Sequence, residues 1–150
     1  MNDSKSYPIL DNEKQRGSVP MRVLVVDDEP AFLLGFKKLL QSPDMVIDTT
    51  ETFEEAMALL DEHDYAAVIA DIRLTGVLRE EGLDILKYIK EQYPCTKVIM
   101  ITGYGGTEVM ERAMFLGADY YFEKPVPLDM LKNALGDCVL RSTYVQSNAK

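Results

Sequence analysis

Tryptophan is absent from the chain, histidine occurs once, and only two cysteines are found in 150 residues. Each shortage removes a class of function. Cys95 falls in a predicted loop and Cys138 in a predicted helix, with no CxxC spacing and no companion histidines. A disulfide framework or zinc site therefore has no support, and reduced or buried thiols are expected. His63 lies in "LDEHDY", a polar helix end, where a surface role is expected, so mechanisms built on histidine have little to work with. No apolar run approaches the ~20 residues that a membrane-spanning helix needs. Positive charge is also scarce, with 16 Lys and Arg against 25 Asp and Glu, for a formal net charge of −9. That balance argues against general affinity for nucleic acid or an anionic membrane and leaves protein partners open. Residues 1–20 lack the apolar core of a secretory signal and read as a polar extension, so a soluble, cytoplasmic chain is expected. Its length suits one domain with a substantial core.

What the chain does contain is an alternation of two periods. Short apolar, β-branched runs at about Arg22 to Asp27, Val46 to Thr50, Ala66 to Asp71, Lys97 to Thr102 and Asp119 to Phe122 read as strands. Between and after them lie segments with helical spacing. The first, about Pro30 to Gln41, carries Phe32, Phe36, Leu39 and Leu40 on one face and has Pro30 in its first turn. The second opens at "TFEE", where Thr52 and Glu55 form a capping box, and buries Phe53, Ala56, Met57 and Leu60. A third runs from about Leu83 to Tyr93 ahead of Pro94. A fourth runs from about Thr107 to Leu116 and is closed by Gly117 at C′. The last, about Pro127 to Leu140, buries Leu128, Leu131, Leu135 and Cys138. Five strands alternating with five helices imply a parallel sheet covered on both faces, and "VLVV" and "AAVIA", apolar at every position, fit such doubly covered strands.

In an open sheet of this kind ligands bind beyond the carboxyl ends of the strands. Four of the five strands deliver a polar group there: Asp27 and Asp28 after the first, Asp71 at the third, Thr102 at the fourth, and Lys124 shortly after the fifth. Singly, each has an ordinary account as a turn, cap or solvated residue. Together they bring three carboxylates to neighbouring strand ends, where at ~4 to 5 Å and an effective dielectric near ~20 each pair repels by up to ~4 kcal/mol. Such a cluster makes sense as a site for a hard divalent cation, and all-oxygen donors with room for water and phosphate suit Mg²⁺. Lys124 adds a fixed positive charge on the other side. Metal, ammonium, hydroxyl and a nucleophilic carboxylate are the parts that phosphoryl transfer requires.

Taken together, "VLVVDDEP", "VIADIRLTG", "VIMITGYG" and "GADYYFEKPV" resemble a response-regulator receiver domain of two-component signal transduction (the CheY-like superfamily). The resemblance covers about Met21 to Leu140, and divides the chain into an extension at 1–20, a receiver domain at 21–141 and a C-terminal tail at 142–150. It implies a flavodoxin-like, doubly wound (βα)5 fold with strand order 2-1-3-4-5. It also implies that Asp71 accepts a phosphoryl group from a histidine kinase or phosphotransfer protein. By the same resemblance Asp28 and Asp71 ligate Mg²⁺, Asp27 acts mainly through a metal-bound water, and Arg73 contributes its backbone carbonyl. Thr102 and Lys124 bind the phosphoryl group, Lys124-Pro125 is a cis peptide, and Thr102 with Tyr121 forms the switch. Strand alternation puts Tyr120 on the opposite face. The surface that changes is the fourth helix, fifth strand and fifth helix, read by an unknown downstream protein. The chain is then a signalling phosphoacceptor that catalyses its own phosphorylation and slow dephosphorylation, not an enzyme acting on other molecules. It is a monomer or a weak phosphorylation-dependent homodimer.

The chain departs from the family pattern in places. Thr75 stands where receivers have proline, and "TGVLREEG" is about three residues longer than the common loop. Arg73 and Tyr104 lie in sequence where they can shield the phosphoryl group from water, predicting a slowly hydrolysed state. Gly103, Gly105 and Gly106 make the loop after Thr102 permissive. With only "RSTYVQSNAK" after the last helix, a stand-alone receiver is expected, the alternative being a receiver fragment of a multidomain regulator. A haloacid-dehalogenase-type Mg²⁺ phosphohydrolase wants Asp-x-Asp after the first strand, whereas these aspartates are adjacent and the presumed nucleophile follows the third. A receiver-like binding module without the chemistry is disfavoured because every required side chain is present.

Overall fold

The computed structural model describes residues 20–73, 80–103 and 105–148, with side chains to Cys138. Its elements alternate strictly: β1 (Met21–Val26), α1 (Pro30–Leu40), β2 (Met45–Thr50), α2 (Phe53–Glu62), β3 (Ala67–Asp71), α3 (Glu81–Gln92), β4 (Lys97–Thr102), α4 (Thr107–Phe115), β5 (Tyr120–Glu123) and α5 (Leu128–Asn148). All strand pairs are parallel and the order is β2-β1-β3-β4-β5. This is the doubly wound sheet that the apolar runs predict. Among the described residues no helix is long and apolar enough to cross a membrane.

Side-chain alternation divides the interior into two cores. Leu24, Val26, Val68, Ala70, Val98 and Met100 face α2, α3 and α4. Val23, Val25, Ala67, Ile69, Ile99 and Ile101 face α1 and α5. Each central strand is thus buried on both sides, and at ~25 cal/mol per Å² this apolar burial is the main force holding the helices to the sheet.

Local chemistry sets the element ends. Pro30 opens α1. The Thr52 side chain accepts from the Glu55 amide at 3.1 Å, while the Glu55 carboxylate takes the Thr50 hydroxyl at 2.9 Å, tying α2 back to β2. Gly117 follows α4 with φ of 102°, a left-handed conformation that favours glycine.

Three expectations need correcting. Leu39 is 59% exposed, because α1 buries Leu33, Phe36 and Leu40, and Leu39 lies about 90° round the helix from that stripe. Helix α3 begins at Glu81, two residues before the expected Leu83. Helix α5 continues to Asn148, past the expected Leu140, and after Gly136 the sequence offers no glycine or proline to stop it.

The early start of α3 matters to the rim. Gly82 donates its amide to the Ile72 carbonyl at 2.9 Å, and a Cβ at this position would stand 2.1 Å from the Asp71 carbonyl oxygen and 2.6 Å from Ile72 Cα. The helix therefore rests directly on the end of β3. Gly82→Ala is expected to cost about 1–3 kcal/mol through overpacking, seen as a lower urea midpoint with unchanged slope. A midpoint equal to the parent's would show that the backbone yields without cost.

Candidate functional site

Strand register determines which side chains meet. Val26 pairs with Ala70, so the next residues along, Asp27 and Asp71, emerge side by side. Asp71 pairs with Ile101, and Thr102 pairs with Glu123, the residue before Lys124. Alternation then assigns faces. Asp27 follows Val23 and Val25, Asp71 follows Ala67 and Ile69, and Lys124 follows Tyr120 and Phe122, so all three lie over the α1/α5 side. Thr102 follows Val98 and Met100 and shares the α4 side with Tyr121.

The geometry bears this out. Lys124 Nζ donates to Asp27 Oδ2 at 2.8 Å and to Asp71 Oδ2 at 2.9 Å, with Glu29 Oε1 at 3.6 Å. The other oxygen of each aspartate accepts a backbone amide, Asp27 from Glu29 at 2.9 Å and Asp71 from Arg73 at 3.1 Å. Asp27 and Asp71 are buried and Asp28 is half-buried, and the three offer carboxylate oxygens that all lie within 4.8 Å of one another. The Lys124-Pro125 peptide is cis.

Electrostatics follow from this crowding. Burial pushes the Asp27 carboxyl above its ordinary value of 3.8, against the Lys124 hydrogen bond and the Glu29 amide, which hold it down. Burial, with the neighbouring Asp27 charge, also raises Asp28. Burial disfavours the Lys124 ammonium, but its bonds to Asp27 and Asp71 outweigh that and raise its pKa. One cation thus holds two buried carboxylates, leaving a net negative site of oxygen donors with Asp28 at its open side. That donor set fits Mg²⁺, which prefers carboxylates and retains water.

The remaining expected residues are placed less completely. Thr102 is fully buried at the end of β4, and its carbonyl accepts the Lys124 amide at 2.8 Å. Tyr121 packs inward against the α4 core, with its hydroxyl buried and, among the described residues, donating to no acceptor. Burial and then the Glu123 carboxylate raise its pKa, with the Gly106 backbone opposing. Tyr120 lies on the other face and donates to Asp137 on α5. Tyr104 and the 74–79 stretch, with Thr75, lie outside the described residues. Cys95 is exposed and Cys138 buried, neither of them in a disulfide, and His63 caps the end of α2.

Two site neighbours were not apparent from sequence. Glu29, third in "DDE", supplies the amide to Asp27 and a carboxylate beside Lys124. Phe32, read only as a core residue, places its ring 4.3 Å from the Lys124 ammonium. Such a cation–π contact contributes about 0.5–2 kcal/mol. The available signal was position, since the first turn of α1 must pass over the same rim.

Known proteins resemble the chain over most of this domain. The family model for the response regulator receiver domain matches residues 23–136. The putative response regulator NtrX-like of Rickettsia bellii (strain RML369-C) is 37% identical over 109 residues, covering 73% of this chain and 23% of that protein. The photosynthetic apparatus regulatory protein RegA of Cereibacter sphaeroides is 28% identical over 113 residues, covering 75% of this chain and 60% of RegA. The chain therefore matches only part of either relative. The crystal structure of a CheY-like receiver domain protein from Methanospirillum hungatei JF-1 superposes with a TM-score of 0.74 at 28% identity, covering 83% of this chain and 98% of that one. The beryllofluoride-activated NtrC4 receiver domain dimer gives 0.73 at 27% identity, covering 81% and 98%.

Proposed function

The chain belongs to the response regulator receiver domain family, and on that premise we propose that it accepts a phosphoryl group on Asp71 from a histidine kinase or phosphotransfer protein. The observation that carries the proposal is the bridging of Asp27 and Asp71 by Lys124, with Asp28 offering a third carboxylate within 4.8 Å. An Asp71 oxygen attacks phosphorus as the bond to the donor's imidazole nitrogen breaks, giving an aspartyl phosphate. Asp28, Asp71 and the Arg73 backbone carbonyl would hold Mg²⁺, with Asp27 acting mainly through water, and the bound ion would neutralise charge on the phosphoryl oxygens. Lys124 carries one unit of that compensation in the protein itself.

The proposed signal starts from the new charge. Lys124 pairs with the phosphoryl group and the Thr102 hydroxyl turns toward it, vacating space on the α4 side, where Tyr121 lies on the same face of the sheet. The buried Tyr121 hydroxyl, which donates to no acceptor among the described residues, supports a movable contact, because an unsatisfied donor costs about 1–3 kcal/mol. The α4, β5 and α5 surface then engages a downstream protein, with the chain a monomer or a weak phosphorylation-dependent homodimer. Cytoplasmic action belongs to the same proposal, which is identical for a stand-alone receiver and for one joined to an output domain.

Incubation with acetyl phosphate and Mg²⁺ is expected to add roughly 80 Da by intact mass, once per chain, and EDTA is expected to suppress the gain. Sustained turnover of acetyl phosphate without an adduct would indicate a hydrolase, and inertness a binding module. The adduct's lifetime gives a second test. Arg73 and Tyr104 are assigned to shield it, so Arg73→Ala and Tyr104→Ala are each expected to shorten the half-life several-fold, and unchanged half-lives would remove that role.

A further inference from the structure

The exposed methionines are not scattered. Among the described residues, Met110 is 40% exposed, Met114 49% and Met130 48%, whereas Met100 is fully buried. Their place on the surface follows from helical geometry. Arg112 on α4 pairs with Glu80 at the head of α3 at 2.7 Å, so that flank of α4 faces α3. Met110 and Met114 are two residues either side of Arg112, about 160° round the helix, and face the opposite flank, toward β5. On α5, Asp137 accepts from Tyr120 of β5, and Met130, two turns earlier, shares that side of the helix. Three thioethers thus flank β5, which among the described residues pairs with β4 and carries no strand on its other edge.

Among the described residues the surrounding charge is of one sign. Glu111 on α4, Glu123 on β5 and Asp129 on α5 are exposed around the patch. The nearby cations point elsewhere: Arg112 to Glu80, Lys124 into the aspartate site, and Lys132 into the cleft against Leu39 and Leu40. Methionine is unbranched and polarizable and adapts to varied apolar partners. A flexible apolar centre inside an acidic rim is complementary to a helix with an apolar stripe edged by Lys and Arg. It is poorly complementary to a second copy of this chain, which would bring the same carboxylates into opposition.

We infer that the Met110, Met114 and Met130 patch beside β5 is a docking surface for a basic amphipathic helix of a partner protein. The inference rests on the proposed function, because it names what the α4/β5/α5 face engages. The probe is a short synthetic Leu/Lys peptide with leucines at helical spacing. It is titrated at physiological salt into the 150-residue chain carrying isotope-labelled methionine methyls, after acetyl phosphate and Mg²⁺, with the Asp71 adduct weighed in the same sample. The Met110, Met114 and Met130 methyl signals are expected to shift while Met100 stays in place. Combined Met110→Ser, Met114→Ser and Met130→Ser is expected to weaken binding about tenfold, whereas Leu34→Ser, an exposed site on α1, leaves it unchanged. A scrambled Leu/Lys peptide binding equally well, or shifts confined to other methyls, would overturn the inference, reducing the effect to general attraction to an acidic protein. Self-association abolished by the triple variant, with no peptide binding, would overturn it in favour of a second copy. An adduct without methyl shifts removes the docking surface and leaves phosphoryl acceptance standing. Shifts without an adduct do the reverse.

Discussion

Asp71→Asn is expected to abolish the mass gain from acetyl phosphate and Mg²⁺ while leaving the protein folded. The two halves of that expectation have separate causes. An amide oxygen is a far weaker nucleophile than a carboxylate, and the substitution removes one of the three negative charges that attract the cation. Uptake at this position should fall by at least ~10³-fold, below detection by intact mass. The fold should tolerate the change because asparagine has nearly the same shape and its side-chain oxygen can still accept the Arg73 amide that Asp71 takes at 3.1 Å. Removing one of three mutually repelling carboxylates also offsets the loss of the Lys124 bond to this position, and Lys124 keeps its bond to Asp27. A urea midpoint close to the parent's alongside a missing adduct would therefore localise the chemistry to Asp71. An undiminished adduct would place the acceptor on another residue, with Asp27 and Asp28 the nearest.

Much of this site was legible because the sheet imposes it. "VLVV" and "AAVIA" are apolar at every position, and a strand covered on both faces suits such a run, so the layering and the rim followed from them together with the alternation of strands and helices. Once strands end at Asp27, Asp71 and Thr102, parallel pairing places those residues on one edge whatever the loops do. Face assignment was harder to read. That Asp27, Asp71 and Lys124 share one side while Thr102 and Tyr121 share the other depends on counting alternation from observed ends, and the fifth strand was read one residue early. Helix α1 shows a different limit. The expected stripe includes Leu39 and omits Leu33, whereas the helix buries Leu33, because the choice depends on the angle at which the helix meets β1 and α5, which sequence spacing does not encode. Phe32 was missed as a site neighbour for the same reason, since its ring meets Lys124 only through that packing.

Lys124→Ala is expected to produce the largest loss of stability, because it removes the cation between two buried carboxylates and leaves both. Breaking a buried, hydrogen-bonded ion pair in this way costs about 3–5 kcal/mol, a fall of roughly 10 °C in Tm for a domain of this size. Three further measurements separate this cause from simple loss of side-chain packing. Lys124→Met keeps most of the aliphatic stem over Phe32 and should lose nearly as much stability as alanine, since charge dominates. Mg²⁺ should restore more stability to the variants than it adds to the parent. It replaces the missing positive charge, and a ligand at about a hundred times its Kd contributes ~2.7 kcal/mol. The pH dependence should change in a defined direction. Burial already raises the folded-state pKa of Asp27 and Asp28, so the protonated forms favour the fold, fully below the ordinary value of 3.8, and that contribution is lost as pH rises through the raised folded values. Without Lys124 those values rise further. Lowering the pH from neutrality into the weakly acidic range should therefore recover stability in the variants over a wider span than in the parent. A variant as stable as the parent, with the same Mg²⁺ increment and the same pH profile, would mean that the ammonium group does not hold the aspartates together.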